Sequence, residues 1–263
     1  MTNLILIYYV SLDVDVQRRI HLSSQFPQYY KMMDWIPAVN GQALSVSLYF
    51  KLITDYYTRH KRLLSPGEVA TSLSHIEALK KFLDSNATHA LILEDDIKGC
   101  DKDIDKINQL IPFLSENEIL ICGGQTSAVN PKYQLGKKTL IPNTMKLNQF
   151  SYSYIYGTCC YVVNKKIAKH ILERQAQYLK VADNWDKFFK DSNIEILYTN
   201  ILHHPDDRAN SHLQAERQAV LQVKRMNLLK RIISGHFFVK NFNLLKNHFI
   251  IFYLFLIGYR KIR

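Results

Sequence analysis

Apolar positions along the chain follow two rhythms. Short unbroken runs suit buried strands, and stripes with a period near 3.6 suit helices laid over them. The first run, residues 4–10, predicts a strand, and Arg18-Arg19 follow on the start of a helix. Residues 35–39 predict a second strand closed by the turn pair Asn40-Gly41. Residues 44–64 are irregularly apolar and Tyr-rich, and predict a helix with a basic end. Ser65-Pro66-Gly67-Glu68 is a helix start: Ser65 suits the N-cap, Pro66 the first turn, and Glu68 completes a capping box. The stripe Val69, Leu73, Ile76, Leu79, Leu83 continues that helix, with His75 beside it.

Further along, Ile104, Ile107, Ile111 and Leu114 predict a helix that Pro112 ends or kinks. Residues 118–122 predict a strand closed by Gly123-Gly124, and residues 125–150 a long loop. Residues 155–163 predict a strand interrupted at Gly157-Thr158. A helix over 165–179 and a strand over 194–198 follow, and Ile201-Leu202-His203-His204-Pro205 leaves that strand. Strands alternating with helices predict an α/β sheet packed with helices.

Composition changes this picture in one place. The 263 residues are 47% hydrophobic and 22% charged, enough for a proper core. The net charge of +11 is unevenly spread. No Asp or Glu follows Glu216, while ten of the 34 Lys and Arg do, so the first 216 residues carry 24 basic against 23 acidic side chains. This divides the chain into a body, 1–216, and a basic, partly helical tail, 217–263. Apolar residues interleave with the tail's Lys and Arg. Its apolar run at 249–257 is too short to span a bilayer, which predicts an interfacial, membrane-associating segment. Packing of the tail on the body is the alternative, and nucleic-acid binding, with no recognisable motif, a third. The four cysteines form no CxxC pair and fit a reducing compartment.

The chemistry concentrates at Leu91-Ile92-Leu93-Glu94-Asp95-Asp96. Three adjacent carboxylates at a strand end repel one another, and a divalent cation such as Mn²⁺ or Mg²⁺ would relieve the crowding. Continued strand geometry would put Glu94 and Asp96 on one face, toward a metal–phosphate site, and Asp95 on the other. A solvated strand exit is the alternative.

Several stretches together resemble glycosyltransferase family 25, the bacterial lipooligosaccharide and lipopolysaccharide glycosyltransferases. They are Ala38-Val39-Asn40-Gly41, Leu64-Ser65-Pro66-Gly67-Glu68 with Leu73-Ser74-His75, the acidic stretch at 91–96, Tyr156-Gly157-Thr158 through Val163, and Val181-Ala182-Asp183. Arg18-Arg19 is similar too, and the resemblance spans about residues 1–217. A Cys the family usually carries near Val69-Ala70-Thr71 is missing, and the first strand leads into Val10-Ser11-Leu12 instead of Asn-Leu.

The resemblance implies a GT-A-like nucleotide-sugar fold and an inverting transfer of a hexose, galactose or glucose, from a UDP-sugar. The acceptor would be a sugar hydroxyl of a lipooligosaccharide or lipopolysaccharide. Together with a tail that its composition places on anionic lipid, this predicts a cytoplasmic enzyme, peripheral on the inner face of the bacterial inner membrane, with no nucleic-acid partner. Asp96 and Glu94, with His203 as a third ligand, would hold the metal. Asp183 would be the general base, with Asp186 as second choice. Arg18, Ser74, His75, Glu94, Asp95, Gly157 and Thr158 would line the donor site. Each has a plainer alternative: an N-cap for Asp183, a structural His75, an ordinary loop for His203-His204, a solvated helix face for Arg18, and a β-bulge at Gly157-Thr158. A metal-dependent phosphohydrolase and a non-catalytic nucleic-acid binder are the competing functions.

Overall fold

The computed structural model describes residues 5–125, 130–204 and 236–262. Its centre is a nine-stranded sheet of order β2-β1-β3-β7-β4-β8-β6-β5-β9. The strands are β1 (Leu6–Ser11), β2 (Met33–Pro37), β3 (His89–Glu94), β4 (Glu118–Gly123), β5 (Leu135–Lys138), β6 (Met145–Leu147), β7 (Cys160–Asn164), β8 (Glu195–Leu202) and β9 (Arg260–Lys261). The helices are α1 (Val16–Gln25), α2 (Val46–His60), α3 (Pro66–Asp84), α4 (Asp101–Leu110), α5 (Lys165–Gln177), α6 (Trp185–Phe189) and α7 (His236–Leu256).

Strand alternation sorts the core into two layers. Tyr8, Ile92, Ile121, Tyr161 and Ile196 face one side, where Ala78, Leu79 and Phe82 of α3, Ile167 and Ile171 of α5, and the aromatics of α6 cover them. Ile7, Leu91, Leu93, Leu120 and Val162 face the other, under Leu22 of α1 and Ile104 and Ile107 of α4. Strands buried on both faces, from unbroken apolar runs, and helices buried on one stripe are what the apolar pattern predicts. The expected α/β sheet flanked by helices is thus the observed one.

Pairing directions position the site. β1 runs parallel to β2 and β3, and β4 parallel to β8. β7 lies antiparallel between β3 and β4. The carboxyl ends of β1, β3, β4 and β8 and the start of β7 therefore share one edge, where open α/β sheets bind ligands.

Several boundaries differ from expectation. β2 starts at Met33, two residues early, and ends at Pro37. The expected long loop at 125–150 contains β5 and β6, an antiparallel pair too short to show a period. β7 begins at Cys160, because Gly157 takes a positive φ and the chain before it stays irregular. β8 runs on to Leu202, carried past Tyr198 by a register shift in its pairing with β4. The capping box at Ser65 and Glu68 is present in full. The stretch 205–235, with the expected boundary at 217 and much of the basic tail, lies outside the described residues. The chain's end returns to the sheet: β9 pairs with β5, and Asn247 of α7 donates to the Tyr154 hydroxyl at 3.2 Å.

Candidate active site

The acidic stretch ends β3 at Glu94, and Asp95 and Asp96 fall in the turn beyond. Glu94 continues the alternation of β3 and points to the α3 side. There its Oε1 accepts a bond from the Thr158 hydroxyl at 2.6 Å and faces Nε2 of His75 at 3.6 Å. The other nitrogen of His75, Nδ1, pairs with the Tyr161 hydroxyl at 3.0 Å. Burial pushes the Glu94 carboxyl up, but the neighbouring His75 ring, the Thr158 bond and the His204 side chain outweigh it, so its pKa lies below the ordinary value.

Asp95 turns to the α1 side. Arg18 Nη1 bonds its Oδ1 at 3.1 Å and lies 3.6 Å from Oδ2 of Asp96. Burial raises the Asp95 carboxyl above its usual range, although Ser11 and Arg18 pull the other way. Arg18 loses solvent as well, yet the two carboxylates hold its pKa above normal. Strand geometry therefore does not align Asp96 with Glu94, although the His204 side chain lies 3.4 Å from Asp96 and its charge also reaches Glu94. The strand stops at Glu94, alternation lapses, and Asp96 joins Asp95 around Arg18.

Gly157 and Thr158 lie in irregular chain before β7, so the β-bulge alternative fails. Gly157 has φ +81°, and a Cβ there would meet no atom within 4 Å. Its N–H donates to Oδ2 of Asp183 at 2.8 Å. Asp183 thus binds the glycine loop, while the N-cap of α6 is Asn184 and carries no side-chain cap bond. Asp186, in the first turn of α6, pairs with Lys187 at 3.0 Å. Burial raises the Tyr156 phenol; a bond with Asn130 opposes this, and the charges of Asp183 and Asp186 add to it. Asp183 and Asp186 both sit close to the loop.

Two residues expected at the donor site, Ser74 and His75, make contacts within the protein. Ser74 Oγ accepts from the Val39 N–H at 2.9 Å and donates to the Ala70 carbonyl at 2.7 Å, which uses it as a clamp between α3 and the chain after β2. Gly41 belongs to the same joint, because a Cβ on it would lie 2.6 Å from the Pro66 carbonyl oxygen. His75 is buried beneath Glu94 and acts on the site through it. His203 is corrected too. Its backbone bridges to Lys98, and it borders a cavity together with Asp103 and Lys106. His204 instead brings Nε2 to 3.4 Å from Oδ2 of Asp96. The sequence reading also missed Tyr161, for which the alternation of β7 toward α3 was the available signal.

Among the described residues, no three His, Cys, Asp or Glu side chains gather closely enough to hold a metal ion by themselves. One feature does suit a cation shared with a diphosphate: Oδ1 of Asp96 is buried and without a hydrogen-bond partner. Mg²⁺ commonly takes one or two protein carboxylates, with waters and substrate phosphates completing the shell.

The profile of glycosyltransferase family 25, described as an LPS biosynthesis protein, matches residues 5–186. The chain belongs to glycosyltransferase family 25. A Haemophilus influenzae protein provisionally named a glycosyltransferase is 27% identical over 247 residues, covering 88% of this chain and 83% of that protein. Lipooligosaccharide biosynthesis protein lic2B of Haemophilus influenzae is 25% identical, covering 86% of this chain and 88% of its own length. A glycosyltransferase 25 family member from Aedes aegypti is 24% identical over 72% of this chain, which spans 33% of that longer protein. Among solved structures, the inositol-1-phosphate CTP transferase of T. maritima aligns over 83% of this chain and 96% of its own. Its TM-score of 0.43 and 11% identity are too slight to carry an argument. Within the family-25 match, the Ala38–Gly41 and Leu64–Glu68 stretches meet at the Gly41–Ser74 joint. The acidic stretch, the Gly157-Thr158 loop and Asp183 meet at the strand ends.

Proposed function

We propose that this family-25 protein transfers a hexose, galactose or glucose, from a UDP-sugar to a sugar hydroxyl of a lipooligosaccharide or lipopolysaccharide acceptor, with inversion. The observation that carries the reading is one cluster. Glu94 holds the Thr158 hydroxyl, and the neighbouring Gly157 N–H holds Asp183, so an acidic strand end and a second carboxylate flank one open glycine loop. Gly157 leaves room there for a sugar to approach the backbone.

In this reading Asp183 takes the proton from the acceptor hydroxyl. The acceptor oxygen bonds the anomeric carbon as the opposite bond to the UDP oxygen breaks, and UDP leaves with that electron pair. Arg18 supplies fixed positive charge where the diphosphate would lie. Asp96, through Oδ1, would hold Mn²⁺ or Mg²⁺, and Glu94 would help orient the loop. A divalent ion there would offset the charge developing on the departing diphosphate. Such an acceptor is lipid-linked, so the enzyme would work as a peripheral protein on the cytoplasmic face of the inner membrane.

The test is UDP release and product formation from a panel of UDP-sugars, with and without Mn²⁺ and EDTA, with product anomeric configuration read by NMR. Asp183→Asn should lower kcat at least about a hundredfold while the protein stays folded. Failure to release UDP from any donor would overturn the reading. A retained configuration would remove inversion, and normal turnover in Asp183→Asn would exclude Asp183 as the base.

A further inference from the structure

α7 turns a continuous apolar face to solvent. Leu245, Phe249, Phe252, Tyr253 and Leu256 recur at intervals of three and four, so they share one side of the helix, and exposed Ile257 follows its end. Phe249 is 72% exposed, Phe252 63% and Leu256 69%. The opposite side holds the helix to the body: Leu254 is 4% exposed, and Asn247 reaches Tyr154. Single exposed apolar side chains are ordinary, but five on one helix face are not.

The surroundings of that face are basic. Lys246 lies along it, and Arg260 and Lys261 follow its end. β9 pairs with β5, which adds Lys137 and Lys138; Lys137 stacks over the Tyr259 ring at 4.9 Å. These five side chains are solvent-exposed, and none of them is in an ion pair among the described residues. No helix among the described residues is long and apolar enough to cross a membrane. An apolar stripe bordered by cations suits the interface of an anionic bilayer, with rings at the acyl boundary and ammonium and guanidinium groups among the phosphates.

We infer that this face of α7, with the basic β5–β9 edge beside it, docks the protein flat on an anionic lipid bilayer. The occupant is the bilayer and not a second copy of the chain, because five cations around the stripe would repel the same five on a partner. β9 belongs to the central sheet, so the docked helix and the catalytic body are coupled through strand pairing. Docking therefore orients the strand-end site relative to the membrane. The inference refines the peripheral placement proposed above, yet needs no donor and no turnover to test.

The experiment is flotation of the full chain with phosphatidylcholine vesicles, with and without phosphatidylglycerol, alongside light scattering for mass. Wild type should float with the phosphatidylglycerol vesicles, and added salt should weaken it. The double variant Phe249→Ser/Phe252→Ser should bind those vesicles about tenfold or more weakly. Its circular dichroism and UDP release in detergent solution should match wild type, since both rings are exposed. Equal flotation of wild type and variant would overturn the inference. So would a wild-type dimer that the variant converts to monomer, which would assign the face to a second copy. Loss of UDP release with normal flotation would count against the transferase reading alone.

Discussion

Thr158→Val isolates the link between the glycine loop and the acidic strand end. Valine keeps the β-branched shape, so the irregular backbone before β7 has no new strain to absorb. What disappears is the 2.6 Å bond from the hydroxyl to Glu94 Oε1, made at a carboxylate whose side chain is 27% exposed. A hydrogen bond to a charged group contributes about 1.5–3 kcal/mol. At 2–4 °C per kcal/mol for a domain of this size, Tm should fall by about 3–12 °C at pH 7. The loss should depend on pH. The folded-state pKa of Glu94 is depressed, so its contribution is complete above the ordinary glutamate value of 4.5 and fades as pH falls through the folded-state value. The Tm gap between wild type and Thr158→Val should thus be full at neutral pH and narrow below about pH 4.5. Thr158→Ser keeps the hydroxyl and should stay close to wild type. Thermal melts of the three proteins across that range decide the matter. A gap that does not change with pH, or a serine variant as unstable as the valine one, would refute the proposed charge-assisted bond.

Three other outcomes follow from the same geometry. Ser74→Ala strips the acceptor from the Val39 N–H and should cost about 1–3 kcal/mol in denaturant melts, while the KM for the UDP-sugar stays unchanged. A raised donor KM would restore Ser74 to the nucleotide site. Arg18→Gln leaves Asp95 and Asp96 without their shared cation; because Arg18 is partly exposed, stability should fall by only about 1–2 kcal/mol, whereas donor binding, read by calorimetry with UDP, should weaken at least tenfold. Gly157→Ala forces a side chain onto a positive φ with open space around it, so the cost should be about 1 kcal/mol of backbone strain, with Gly157→Asn milder. Circular-dichroism melts would check both variants.

How the chain would divide into strands and helices was written in its own pattern. The unbroken apolar runs at β1, β3 and β4 and the capped stripe of α3 are local properties, visible without knowing what each element touches. The carboxylate triplet was legible for the same reason, as was its need for positive charge. What supplies that charge was not. Arg18 is 77 residues from Asp95, Tyr161 is 86 from His75, and only the sheet order brings them together. Short elements were also hidden: β5, β6 and β9 are held by pairing with one another and with β8, and two to four residues carry too little pattern to announce a strand. Residue type could nominate Ser74, His75 and His203 for the site. Which way each side chain points depends on where strands stop and helices cross, and that is decided by packing over the whole molecule. It made Ser74 a clamp, put His75 beneath Glu94, and exchanged His203 for His204. The carboxylate stretch itself was a single feature in the sequence. Ending β3 at Glu94 leaves Asp95 and Asp96 in the turn beyond, with Glu94 on the glycine loop, Asp95 on Arg18, and Asp96 between Arg18 and His204.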